Sequence, residues 1–253
     1  MYGSYVGTLL ILVLQTAAAL PAPPVNDVVA AVSKNVSDFD EQVPDFICSE
    51  KIIASRSEGG KVQEEKTVES LFSEGRKRGE QREITAIDGT PAKKNAKMPN
   101  LPTNWNGSFS GFLNATFSPK NLKIYNYSLG SKPSEQGRIV LQFETKKDQT
   151  YLKWTLNGET RAAGDTGEAW IDPGSMQVIH IERHFLNLPR TLTRLDLAAD
   201  YGPVTIDEKQ FWLPKSFRAE GANPSQGKTK TFLYTAEFAN CRKFGSEIRL
   251  IPQ

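Results

Sequence analysis

Glu168-Ala-Trp-Ile-Asp-Pro-Gly-Ser-Met-Gln-Val-Ile-His-Ile-Glu-Arg183 reads as a β-hairpin. A run of β-formers breaks at Asp172-Pro173-Gly174-Ser175, where Asp opens a turn, Pro presets the next φ and Gly tolerates the third position. The same grammar follows at once. Residues Thr193 to Ile206, a break at Asp207-Glu208-Lys209 and Gln210 to Ala219 form a second antiparallel pair. Two adjacent hairpins with no helical spacing between them predict an antiparallel sheet, and the rest of the chain follows from that.

Working outward, short β-rich runs occupy Phe46 to Ala54, Lys61 to Phe72, Lys77 to Ile87, Leu122 to Leu129, Gly137 to Thr145, Tyr151 to Leu156, Glu159 to Ala163, Lys228 to Asn240 and Phe244 to Ile251. The Asn157-Gly158 pair is the strongest short hairpin signal among their turns. About a dozen consecutive strands without βαβ spacing predict a single curved antiparallel sheet or an incomplete β-barrel. Two helices accompany it. Val28, Val29, Val32, Val36 and Phe39 share one face of an N-terminal helix over 28–39, behind an Asn26-Asp27 cap. After a Gly-, Pro- and Lys-rich loop from Asp88 to Pro102, Trp105, Phe109, Phe112, Leu113 and Phe117 fall at helical spacing, as a short lid helix would place them.

Residues Val6 to Leu14 form an apolar run too short to cross a bilayer, and Ala17-x-Ala19 follows it. The expected organisation is therefore a signal peptide over 1–19, a linker over 20–27 and one domain over 28–253, in the periplasm or outside the cell. Export changes the reading of the two cysteines, Cys48 and Cys241. In an oxidising compartment an even count favours a disulfide joining the first and last strands over two separate buried thiols.

The 31 basic and 29 acidic residues leave a net charge of +2 over 253 residues. That balance gives no global pull toward nucleic acid, and toward a membrane only a peripheral one. No Gly-x-Ser-x-Gly elbow, phosphate-cradling glycine loop or His-Glu-x-x-His helix occurs, so the chain is read as non-enzymatic and needs no cofactor. His180, Glu182 and His184 alternate onto one strand face, the pattern of a two-His-one-carboxylate site, yet a polar strand face explains them as well. They are the basis of a remote reading as a metal-dependent hydrolase; no metal is expected.

What remains is apolar. The 13 Phe, 7 Tyr and 4 Trp supply strand-facing aromatics, and Trp105, Phe109, Phe112, Leu113 and Phe117 on the lid would face Trp154, Trp170 and Phe211 across a curved sheet. Such a space is either a packed core or a cleft for an elongated apolar ligand.

Ala169-Trp-Ile-Asp-Pro173 with Val178 and Glu182, then Asp200-Tyr-Gly-Pro-Val-Thr-Ile206 and Phe211-Trp-Leu-Pro214, resemble the hairpin pair of the periplasmic lipoprotein-sorting carrier superfamily, the Lol-type half-barrels. Pro44-Asp-Phe-Ile-Cys48 and Asn240-Cys-Arg-Lys-Phe244 are similar to the opening and closing strands of other exported bacterial proteins. The resemblance implies an incomplete antiparallel barrel around helices, with an apolar cavity that takes acyl chains in the carriers, and no catalytic residue. The expected function is thus binding of a lipid or another apolar ligand. The alternative is a scaffold of the cell envelope with a filled barrel that binds another envelope protein.

Overall fold

The computed structural model describes residues 23–75, 79–103, 111–130, 137–147, 149, 152–156, 159–225 and 228–245. Its first element is α1 (Val25–Gln42). The helix is longer at both ends than its apolar stripe required. Pro24 precedes it, and the Pro24 carbonyl accepts from Asp27 N–H and Val28 N–H, so Asn26 and Asp27 sit in the first turn instead of capping it. Val28, Val29, Val32 and Val36 are buried on one side, while Lys34 and Asp38 pair one turn apart on the other.

Among the described residues twelve strands make one open antiparallel sheet. A first meander comprises β1 (Phe46–Glu58), β2 (Lys61–Gly75), β3 (Gly79–Ile87) and the short β4 (Thr90–Pro91). The helix α2 (Gly111–Phe117) and a 3₁₀ turn (Leu122–Ile124) lead to β5 (Tyr125–Leu129), β6 (Ile139–Thr145) and β7 (Leu152–Leu156). A second meander runs through β8 (Glu159–Ile171), β9 (Val178–Leu186), β10 (Arg194–Ile206), β11 (Lys209–Ser225) and β12 (Lys228–Lys243). The spatial order is β4-β3-β2-β1-β12-β11-β10-β9-β8-β6-β5, with β7 paired to β8 off that path. The mainly β, curved antiparallel architecture expected from the hairpins is the architecture observed.

Local chemistry explains the turns. Gly59 and Gly60 (φ +57° and +79°), and Asp207 and Glu208 (φ +48° and +66°), fill two-residue connections whose central residues are left-handed, the twist that suits a tight hairpin. Residues 157–158 lie outside those described; on either side of them Leu156 opposes Glu159. Phe244 and Gly245 are not in a strand, and the rest of the expected last strand also lies outside the described residues.

The two meanders meet at β1 and β12, whose residues are far apart in sequence, and there Cys48 and Cys241 form a disulfide. Inside the curve one core joins Ile52, Val68, Leu141, Ile171, Ile181, Leu197, Phe217 and Tyr234 to α1 and to Phe112 and Phe117 of α2. A second cluster, Val43, Phe46, Cys48, Phe72, Ile206 and Leu213, fills the end nearest the disulfide.

Curvature brings rings over glycines. The Phe143 ring lies over Gly167, its cross-strand neighbour, and Phe232 over Gly221. A Cβ on Gly167 would stand 2.0 Å from the Glu182 carbonyl oxygen and 2.6 Å from Phe143 Cζ. Gly167→Ala is therefore expected to cost about 2–3 kcal/mol, measured by urea unfolding, whereas chain entropy alone predicts a slight gain.

Candidate functional site

An apolar cleft lies where α1, α2 and two hairpins, β8–β9 and β10–β11, meet. From α1 come Val32, Asn35, Val36 and Phe39; Leu113 and Asn114 of α2 roof it; Met176, Gln177, Val178, Tyr201, Trp212 and Pro214 form the facing wall. Helical spacing puts the α1 residues on the flank of the buried stripe. A bulge sets the wall: Asp200 opposes Ser216 but Tyr201 opposes Pro214, so the alternation of β11 shifts at Lys215. Trp212 and Pro214 thereby reach the cleft, while Phe211 packs with the Ile206 and Leu213 cluster.

Counted to its open mouth the cleft measures about 490 Å³, but the room left for a guest is about 30 Å³. Ordinary small-molecule sites offer roughly 300–1,000 Å³. Beneath Phe112 and Phe117, in the described part of the lid, the protein's own side chains fill the space. Phe112 packs edge-on to Phe217 at 5.5 Å, and Phe117 meets Phe143 and Tyr127, each at 6.1 Å. Tyr127 donates its hydroxyl to the Thr116 carbonyl at 2.6 Å, and the Asn121 amide donates to the Asn114 and Ala115 carbonyls. This short helix is pinned at both ends.

Beneath it is a buried ion pair. Arg183 Nε donates to Asp165 at 2.7 Å, Tyr125 and Thr145 donate their hydroxyls to the same carboxylate, and the guanidinium lies 5.6 Å from the Phe112 ring centre. A second buried carboxylate, Glu50, accepts from Ser70 and Arg82. Satisfied charges in a core are tolerated only when every partner is present. Tyr201 lies against Arg183's field, yet burial dominates and pushes its phenol far above the usual range, so it remains neutral.

The expected lining residues are divided by the fold. Phe112 and Phe117 point into the core and Leu113 into the cleft. Trp105 and Phe109 lie outside the described residues, as does the Trp154 side chain on β7. Trp170 is not brought to them. Ala169 and Ile171 take the inner face, so Trp170 stands on the outer one, 4.9 Å from the His180 ring. The α1 stripe was visible in sequence, but the wall residue named from it was Phe211; the bulge that puts Trp212 there instead was not legible.

That outer face also carries the histidines. His180 meets Asp200 through Nδ1 at 2.7 Å and Glu182 through Nε2 at 3.1 Å, while His184 meets Asp196 at 2.8 Å. The sequence pattern of two histidines and one carboxylate is thus split between separate carboxylate partners. Among the described residues no group of three or more His, Cys, Asp or Glu is arranged to hold a metal.

The β8–β9 hairpin that walls the cleft has its own electrostatics. Ser175 donates both its N–H and its hydroxyl to Asp172 Oδ2, each at 2.7 Å, and holds that carboxyl below its ordinary value. A depressed folded pKa contributes order above the unfolded value of about 3.9 and loses it as pH falls through the lower folded value. The Ser175 amide resonance is expected to titrate with a midpoint below that value, and Ser175→Ala to raise the midpoint.

No family model and no curated protein matches the chain. Solved structures do. A DUF1329 family protein from Desulfovibrio piger is 12% identical, with 91% of this chain and 96% of that chain covered, at a TM-score of 0.37. A LolA superfamily protein from Nitrosomonas europaea is 10% identical, with 89% and 97% covered, at 0.39. The MucA/MucB complex from Pseudomonas aeruginosa gives 9% identity, 87% and 100% coverage, at 0.25. At these identities and TM-scores the likeness carries nothing about function.

Proposed function

We propose that this chain is an exported, non-catalytic binding protein that takes an elongated apolar ligand, an acyl chain or a greasy peptide segment, into the cleft between α1, α2 and the β8–β9 hairpin. One observation carries the reading: Val32, Val36, Leu113, Met176, Tyr201 and Trp212 line a single cleft that opens to solvent and is walled by separate elements. Each buried methylene of a ligand would contribute roughly 0.8 kcal/mol. Because about 30 Å³ is free, binding requires a wall to move, and the ligand replaces side-chain contacts with its own. The disulfide supports an oxidising compartment.

Native mass spectrometry of the protein from its own host tests this. A co-purified apolar mass, removed by Leu113→Asp with the fold retained by circular dichroism, is the expected result. A bare mass and no uptake of an apolar fluorophore would overturn it. That outcome would favour the second reading, an envelope interaction module, which the filled interior under Phe112 and Phe117 supports.

A further inference from the structure

The walls of the cleft differ in what holds them. α1 is fixed by fully buried valines, α2 by Phe112, Phe117 and the Tyr127 and Asn121 hydrogen bonds, and β10 and β11 by a long paired ladder. The hairpin tip is different. Strand pairing between β8 and β9 ends at Ile171 opposite Val178, just after a register shift. Beyond that pair the backbone closes only through Asp172 N–H to the Gln177 carbonyl and Met176 N–H to the Asp172 carbonyl. Met176 sits at φ +55°, a conformation a long side chain adopts only when its surroundings impose it.

Side chains supply that imposition. The Asn35 amide nitrogen, on α1, has two hydrogens and donates to two successive carbonyls, Ser175 at 3.0 Å and Met176 at 2.8 Å. Trp212 Nε1 donates to the Val178 carbonyl at 2.7 Å, at the base of the tip. Asn35, Met176, Gln177, Val178 and Trp212 all line the cleft.

We infer that residues 172–177 are the gate of this cleft: Asn35 is the latch that ties the tip to α1, and Trp212 holds the hinge at Val178. Swinging the tip outward carries Met176 and Gln177 off the cleft, and it breaks two hydrogen bonds while leaving the buried core intact. This regulation rests on the apolar-ligand reading above, but its structural half is measurable without ligand.

The test uses the full oxidised chain, its Asn35→Ala and Asn35→Asp variants, and N-phenyl-1-naphthylamine as an uncharged apolar probe. Asn35 is only partly buried, so both variants should fold. Removing two hydrogen bonds that close only the tip should raise amide exchange at Ser175–Val178 by about 10- to 100-fold. Amides paired between β1 and β12 should be unchanged. Probe association should quicken by a similar order in both variants, more so in Asn35→Asp, whose carboxylate would face two carbonyls. Exchange that rises uniformly over the sheet, or tip exchange equal to that of the parent protein, would overturn the gate. Faster exchange confined to the tip, with no probe uptake by any form, would uphold the latch and remove the apolar-ligand reading instead.

Discussion

Arg183→Met is expected to destabilise the protein by about 3–5 kcal/mol, as removal of one partner of a buried ion pair does. Arg183 is 3% exposed and Asp165 1%. Without the guanidinium, Asp165 keeps the Tyr125 and Thr145 hydroxyls and its place in the core but loses its countercharge. The sign of the double variant is the sharper test. Arg183→Met combined with Asp165→Leu removes both charges, and should recover most of the loss even though it leaves the Tyr125 hydroxyl to find another partner. Urea unfolding of the four proteins completes the cycle; a double variant as unstable as the sum of the singles would mean that the pair is not coupled. Because the guanidinium also lies near the Phe112 and Phe185 rings, the single variant should loosen the amides of α2 as well.

The second large effect is expected at the disulfide. Cys48 and Cys241 are 193 residues apart, so their link removes the entropy of a very long loop from the unfolded chain, about 5 kcal/mol in the chain-entropy account. It does so where β1 meets β12, the pairing that joins the two meanders. Replacing both cysteines by alanine should lower stability by about that amount, with a larger m-value as the unfolded chain expands. A loss below about 1 kcal/mol would show that the strand pairing alone already holds the two halves together.

Much of this fold was legible because antiparallel strands announce themselves locally. Asp172-Pro-Gly-Ser175, Gly59-Gly60 and Asp207-Glu208 each stop one strand and start the next through backbone preferences that depend on no distant residue. Val28, Val32 and Val36 marked the buried side of α1 for the same reason. The site was less legible. Trp170 has the composition of a pocket residue, but Ala169 and Ile171 take the inner face and leave it outside with His180. Alternation shows that neighbours point opposite ways without showing which way is in.

Taken alone, the chain of amino acids determined a succession of short strands, their antiparallel pairing, the helix that packs inside the curve and the cysteines available for a bridge, since turn chemistry and apolar periodicity act over a few residues; it divided β8 in two and missed β4. Tertiary structure decided which residues share the cleft and how little room it holds. The shift at Lys215 that turns Trp212 inward, the pairing of β1 with β12, and the reach of Asn35 across 140 positions to Ser175 depend on register and closure, which come into being only when distant strands meet.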